Sequence, residues 1–218
     1  GSALHETIQA YLVCYYERTI KEADNLPLRD ILQYRMEENY KISKEQHGDD
    51  FEVSLDEMKE FFNDGCNIID EFLKRKSSYF PKKNTELVGI EIGLNHRVSD
   101  SIKFRGYMDV VLHNKTTGRI KIIDIKTATM GWNKYMKADK NKTNQLLLYK
   151  YFFSKEKEIP IDKIDVEYLI LKRRLYENFD YPQKRIQTFS PASGKPSINK
   201  VMNRLQEFMD ECFDEDGN

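Results

Sequence analysis

Residues 104–113 and 119–125 form two apolar runs rich in Val, Ile and Tyr, separated by Asn114-Lys115-Thr116-Thr117-Gly118. β-Branched and aromatic runs bounded by Asn, Thr and Gly read as a β-hairpin. If Asn114 faces Arg119 across a four-residue loop, counting back along both strands sets Asp109 opposite Asp124. Facing Cβ atoms lie about 5 Å apart, and like charges so placed destabilise a sheet. A bound cation would relieve that repulsion, so the hairpin reads as a metal site suited to phosphodiester chemistry. Side chains alternate faces along a strand, which puts Lys126 of Asp124-Ile125-Lys126 on the same side as Asp124.

An Asp-x-Lys triplet by itself is expected about once by chance in a chain of this size. Its weight comes from the hairpin around it. Glu57-Met58-Lys59 fits a looser version of the pattern but lies in a helical stretch, where residues two apart do not face each other. The competing reading of Asp109 and Asp124 is a solvated strand face, since antiparallel sheets commonly leave one face wet.

The 218 residues suffice for one sizeable core. The expected organisation is a single domain over 1–218, with a helical part (1–80), a core (86–190) and a closing helix (196–213). A net charge of -1 gives no global attraction to nucleic acid, so any attraction must be local. Lys134, Lys137, Lys140, Lys142 and Lys150 are the candidates, and residues 210–216 form an acidic tail. Cys14, Cys66 and Cys212 show no paired spacing, which points to a reducing compartment and away from zinc. No apolar stretch approaches the ~20 residues of a membrane span, and no signal peptide is visible. A cytoplasmic protein is therefore expected. The start at Gly1-Ser2 implies a cloning remnant or a segment of a longer protein, so further N-terminal structure is expected.

Helical spacing of Leu4, Ile8, Leu12 and Tyr15 predicts a first helix, and Leu28, Ile31 and Leu32 begin a second after Pro27. Ser54 and Glu57 form a capping-box pattern opening a third. Strands are predicted over 87–94, 102–113, 119–126 and 165–171, with an edge strand at 184–189. Helices are predicted over 143–154 and 196–213. This order suggests a mixed sheet with helices on both faces.

Carboxylate oxygens select Mg²⁺, and an added imidazole makes Mn²⁺ more welcome. The Lys126 ammonium is placed to offset charge on a phosphorane-like transition state. Gln145 and Tyr149 lie one helical turn apart, so they share a face. That face suits phosphate or base contact. The competing reading of Tyr149 is a core aromatic beside Leu146 and Phe153. Lys172 and Arg173, at a strand end, could also meet phosphate.

Taken together, Gly106-Tyr107-Met108-Asp109, Asp124-Ile125-Lys126-Thr127, Gln145-Leu146-Leu147-Leu148-Tyr149 and Gly1-Ser2-Ala3-Leu4-His5 resemble the PD-(D/E)XK nucleases, specifically the RecB-type branch. The order and intervals agree over nearly the whole chain. The resemblance implies a restriction-endonuclease-like α/β fold, with a mixed central sheet flanked by helices and an N-terminal helical elaboration. It implies His5, Asp109, Asp124 and the Ile125 carbonyl as metal ligands, Lys126 as the catalytic lysine, and Gln145 and Tyr149 as substrate contacts. Glu91, on the strand before the hairpin, would support a second metal or the lysine. Met108 stands where the family name has proline. Some members of the branch carry a four-cysteine iron-sulfur cluster, which is not expected here because Cys212 alone lies near the C-terminus.

The resemblance further implies a Mg²⁺- or Mn²⁺-dependent DNA exonuclease of prokaryotic or phage origin, serving recombination, repair or phage DNA processing. Its partners would be a DNA single strand or duplex end, and a helicase or recombination protein. The alternatives are an endonuclease of the same superfamily and a non-catalytic nucleic-acid-binding module of a helicase-nuclease complex.

Overall fold

The computed structural model describes residues 1–48, 53–178 and 180–213, so the acidic tail from residue 214 onward lies outside the described residues. Contacts divide the chain into two compact units. One comprises Gly1–Lys83, Ile125–Gly131 and Leu169–Gln187, the other Asn84–Asp124, Trp132–Tyr168 and Thr188–Asn218. Five strands form one mixed sheet in the order β1-β2-β3-β4-β5. The strands are β1 (Thr85–Arg97), β2 (Lys103–Asn114), β3 (Arg119–Ala128), β4 (Ile164–Lys172) and β5 (Ile186–Phe189). With its flanking helices this is the restriction-endonuclease-like α/β architecture.

The first unit is built on α1 (Ser2–Glu17), α2 (Ile20–Asp24), α3 (Leu28–His47) and α4 (Leu55–Tyr79). Leu4, Ile8, Tyr11, Leu12 and Tyr15 fall on one stripe of α1 and are buried, as a 3.6-residue period requires. The Tyr11 ring stacks on Tyr15 at 5.7 Å and meets Phe72 of α4 edge-on at 5.3 Å. The Tyr11 hydroxyl donates to Asp24 Oδ1 at 2.7 Å, and Lys76 of α4 holds the same carboxylate at 2.6 and 2.8 Å. Reciprocal capping boxes open α2 at Thr19 and Glu22 and α4 at Ser54 and Glu57. Lys82 closes α1 by donating to the carbonyls of Tyr15 and Arg18, which would otherwise lack helical partners.

In the second unit, β1 pairs antiparallel with β2, and β2 with β3. The hairpin register sets Asn114 opposite Arg119, as the loop spacing predicts. Asn114 Oδ1 accepts the N–H groups of Thr116 and Thr117 at 3.0 Å each, and the Asn114 carbonyl accepts Gly118 N–H at 2.8 Å. Gly118 has φ +65°, a conformation that a Cβ disfavours. α6 (Lys140–Glu156) and α7 (Lys195–Cys212) pack through Leu147, Ile198 and Val201. Phe152 of α6 stacks on Phe104 of β2 at 4.4 Å. Ion pairs of Arg119 with Asp165 and Lys121 with Glu167 join residues of β3 to residues of β4.

The observed elements extend the expected ones by one to three residues at most ends. β4 is interior, between β3 and β5, and β5 lies at an edge. The short helices α2 and α5 (Lys134–Ala138), and a 3-10 turn at Ile161–Lys163, are additions to the expected set. α5 occupies what reads in sequence as a lysine-rich loop, with Asn133 capping it by accepting from Tyr135 and Met136 N–H. Among the described residues no helix is long and apolar enough to cross a membrane.

Gly118→Ala should destabilise the protein by about 1 kcal/mol through left-handed backbone strain. Gly118→Asn should recover much of the loss, and urea unfolding midpoints of the two variants and the parent will show the order.

Candidate active site

Asp124 lies on β3 at 2% exposure, between the buried Ile123 and Ile125. Its Oδ2 is buried and accepts no hydrogen bond, while the residue keeps other polar or electrostatic contacts. Its charge reaches the neighbouring strand. Burial first, and then the Asp124 carboxylate, push the Tyr168 hydroxyl well above the usual tyrosine range. That hydroxyl donates to the Lys142 carbonyl at 2.6 Å.

Asp109 is half-buried on β2. The last paired rung of the hairpin is Val110 with Ile123, so Asp109 and Asp124 are the next residues along the two strands. On the other side of β2, the rungs Ile90 with Val110 and Ile92 with Met108 bracket Glu91 and Asp109. Glu91 is thus level with Asp109. It is exposed, and its φ of +48° is unusual for a residue with a side chain. The pairing of β1 shifts register nearby, between Leu87 and Gly89. Distortions of this kind cost about 1–3 kcal/mol and concentrate at functional positions.

Gln145 and Tyr149 share a face of α6, as the spacing predicts, and are bonded to each other: Gln145 Nε2 donates to the Tyr149 hydroxyl at 2.8 Å. The tyrosine is 5% exposed, and its ring meets Phe104 edge-on at 6.2 Å. It also lies directly on Gly106, where an added Cβ would stand 2.5 Å from the ring's Cε1. The glycine three residues before Asp109 therefore admits this ring. The core-aromatic reading describes the Tyr149 ring, while its hydroxyl holds the Gln145 amide.

In the first unit, His5 on α1 is half-buried, with Nε2 3.4 Å from Oγ1 of Thr127 on β3. Burial chiefly, then the charges of the terminal ammonium and Lys126, lower the His5 pKa to about 4. Its imidazole is neutral at pH 7, the form that can ligate a metal. Thr127, which directly follows the triplet, is a neighbour of His5 that spacing did not single out. Ile125 is fully buried and Lys126 half-buried.

Two of the suggested phosphate contacts, Lys150 and Arg173, are bound within the protein. Lys150 is 6% exposed, and its amine donates to the carbonyl and hydroxyl of Ser193 at 2.9 and 3.2 Å. Burial chiefly lowers its pKa. Arg173 pairs with Asp64 at 3.0 Å and Glu60 at 3.2 Å, with its guanidinium 4.1 Å from the centre of the Phe61 ring. Lys172 is half-buried. Of the lysine group, Lys134, Lys140 and Lys142 remain exposed.

Among the described residues, no group of three or more His, Cys, Asp or Glu is drawn together as a ready-made metal cage. The donor chemistry nevertheless fits a hard divalent ion, because Mg²⁺ is commonly held by one or two carboxylates, with waters and substrate phosphate completing its shell. Asp109 and Asp124 are the carboxylates that could hold such an ion.

The sequence model of the PD-(D/E)XK nuclease superfamily matches residues 1–215. The chain belongs to the PD-(D/E)XK nuclease superfamily. Its members generally use divalent metals. Among solved structures, the crystal structure of SSO0001 aligns at 15% identity with a TM-score of 0.35, covering 68% of this chain and 61% of that one. The match thus spans less than two thirds of SSO0001. No curated protein matches the sequence.

Gly106→Ala should destabilise this PD-(D/E)XK chain by about 1–3 kcal/mol, because the added methyl overpacks the Tyr149 ring. Combining it with Tyr149→Leu should cost less than the sum of the single changes, a coupling that a double-mutant cycle in urea will measure. His5 gives a pH signature. Between pH 6.5 and about 4 the unfolded chain binds a proton that the folded chain does not, so this group destabilises the fold as pH falls through that window. In metal-free buffer, His5→Gln should flatten that part of the stability profile, and the His5 ring resonance should titrate near 4 rather than 6.5.

Proposed function

We propose that this chain is a Mg²⁺- or Mn²⁺-dependent DNA exonuclease of the RecB-type branch, acting in recombination, repair or phage DNA processing. The observation that carries the reading is the Asp124 carboxylate, buried to 2% exposure beside the buried Ile122, Ile123 and Ile125 of β3 and two residues before Lys126. Burying a carboxylate is costly unless something compensates it, and superfamily membership supplies the reason to keep one there.

Asp109 and Asp124 would hold the ion, with the Ile125 carbonyl and the neutral His5 imidazole as further donors. When bound, the ion polarises a phosphoryl oxygen and lowers the pKa of a bound water. Lys126 sets a positive charge where negative charge builds on the reacting phosphate, an interaction stronger in the transition state than in the ground state. Glu91, level with Asp109, would support a second ion or the lysine. Gln145 meets the substrate strand, with its amide held by Tyr149. A DNA single strand or duplex end is the substrate, and a helicase or recombination protein the natural partner.

Purified protein with Mg²⁺ or Mn²⁺ should degrade linear DNA. Lys126→Ala should slow this by about 10²-fold or more with unchanged circular dichroism. Equal rates for variant and parent would overturn the assignment. Under the exonuclease reading, closed circular and end-blocked DNA resist while linear DNA is consumed; cutting of closed circles would identify an endonuclease.

A further inference from the structure

Within the second unit, a cleft of about 520 Å³ lies between α6 and α7, inside the size range of ligand sites. It adjoins none of the packing that fixes Tyr149 on Gly106. Leu148, Leu205 and Phe208 give it an apolar lining, and Lys140, Asn144 and Arg204 supply polar groups. Phe208 is 53% exposed, a large aromatic left at the surface. Among the described residues lining the cleft, Asp139 is the one acid. Its carboxylate caps α6, with Oδ1 accepting Asn141 N–H at 2.9 Å. The carboxylates of Glu207, Asp210 and Glu211 lie further along α7, and Asp210 accepts from Gln206 at 2.7 Å.

We infer that this cleft is a second subsite for single-stranded DNA, holding one nucleotide beside the strand that Gln145 meets. The inference rests on the nuclease reading. Two cations at the rim suit phosphates, an exposed aromatic with two leucines suits the face of a base, and the Asn144 amide suits a base edge. That combination of charge and stacking surface is how single strands are held without strict sequence preference.

The helix itself links the cleft to the candidate active site. Asn144 and Leu148 each precede Gln145 and Tyr149 by one residue, a rotation of about 100° around α6. A strand lying on the Gln145 face therefore reaches the cleft by crossing one helix. Upstream, α5 adds Lys134 and the 72%-exposed Tyr135, with the lysine amine 5.0 Å from the centre of the tyrosine ring. These residues extend the basic and aromatic character along the chain leading into α6.

The test is fluorescence anisotropy of a short labelled oligothymidylate in EDTA, titrated with the whole protein at several salt concentrations. Lys140→Glu combined with Arg204→Glu should weaken binding about tenfold or more and lower the salt slope by about 1.4, the value for two lost contacts to a single strand. Phe208→Ala should weaken binding about fivefold or more through lost stacking. Lys140→Glu alone serves as a milder charge variant should the double variant fail to fold. If the variants bind with the parent's affinity and salt slope, or lose affinity for duplex DNA only, the cleft is not this subsite. In that event, continued cleavage by the parent and its loss in Lys126→Ala would leave the nuclease reading standing. A parent that neither binds nor cuts DNA would overturn both.

Discussion

The register of β2 against β3 decides which carboxylates stand level with one another in the candidate site. The loop after β2 sets it: Asn114 accepts three N–H groups from the turn, and Gly118 adopts the left-handed conformation that closes it. A slip of one residue would move every side chain of a strand to the opposite face. Leu112 and Ile120 would then exchange burial with polar neighbours such as His113 and Lys121. The hydrophobic pattern and the turn chemistry therefore agree on one alignment, and that alignment makes Asp109 and Asp124 successors to the same rung. Through β1, it also brings Glu91 level with Asp109.

Asp124 is the conspicuous exception to that hydrophobic pattern. Ile122, Ile123 and Ile125 are buried around it, and a further aliphatic residue would satisfy the strand with less desolvation. The carboxylate also raises the pKa of Tyr168, adding to the effect of burial. Strained and desolvated groups persist where activity needs them, with the surrounding packing supplying the stability. The positive φ of Glu91 is a second departure of the same kind on the neighbouring strand.

Features governed by local rules were legible in the sequence. The hairpin loop, the Ser54 capping box and the stripe of α1 depend on spacings of four residues or fewer, and all appear as expected. So does the pairing of Gln145 with Tyr149 on one helical face. What escaped depends on distant partners or on length. α2 spans five residues, too few for a periodic pattern, although Thr19 and Glu22 carried its capping signal. Lys150 reads as part of a basic group, yet its amine is tied to Ser193, a contact set by how the chain returns after β5. Gly106 reads as a motif glycine, and its physical reason, a ring 43 residues later in the chain, becomes visible only in three dimensions.

That ring also divides the labour within the Gln145 and Tyr149 pair. Stacking a base on Tyr149 would require the ring to leave Gly106 and Phe104, against which it is buried. Its hydroxyl instead accepts one N–H of the Gln145 amide, which fixes which side of that amide donates and how the plane is turned. Gln145 itself is only half-buried. In the proposed reading, Gln145 would be the member that meets a strand, and Tyr149 the member that aims it. Because the same tyrosine rests on the glycine three residues before Asp109, the aim of the glutamine and the position of the carboxylate strand answer to one packing contact within the second unit.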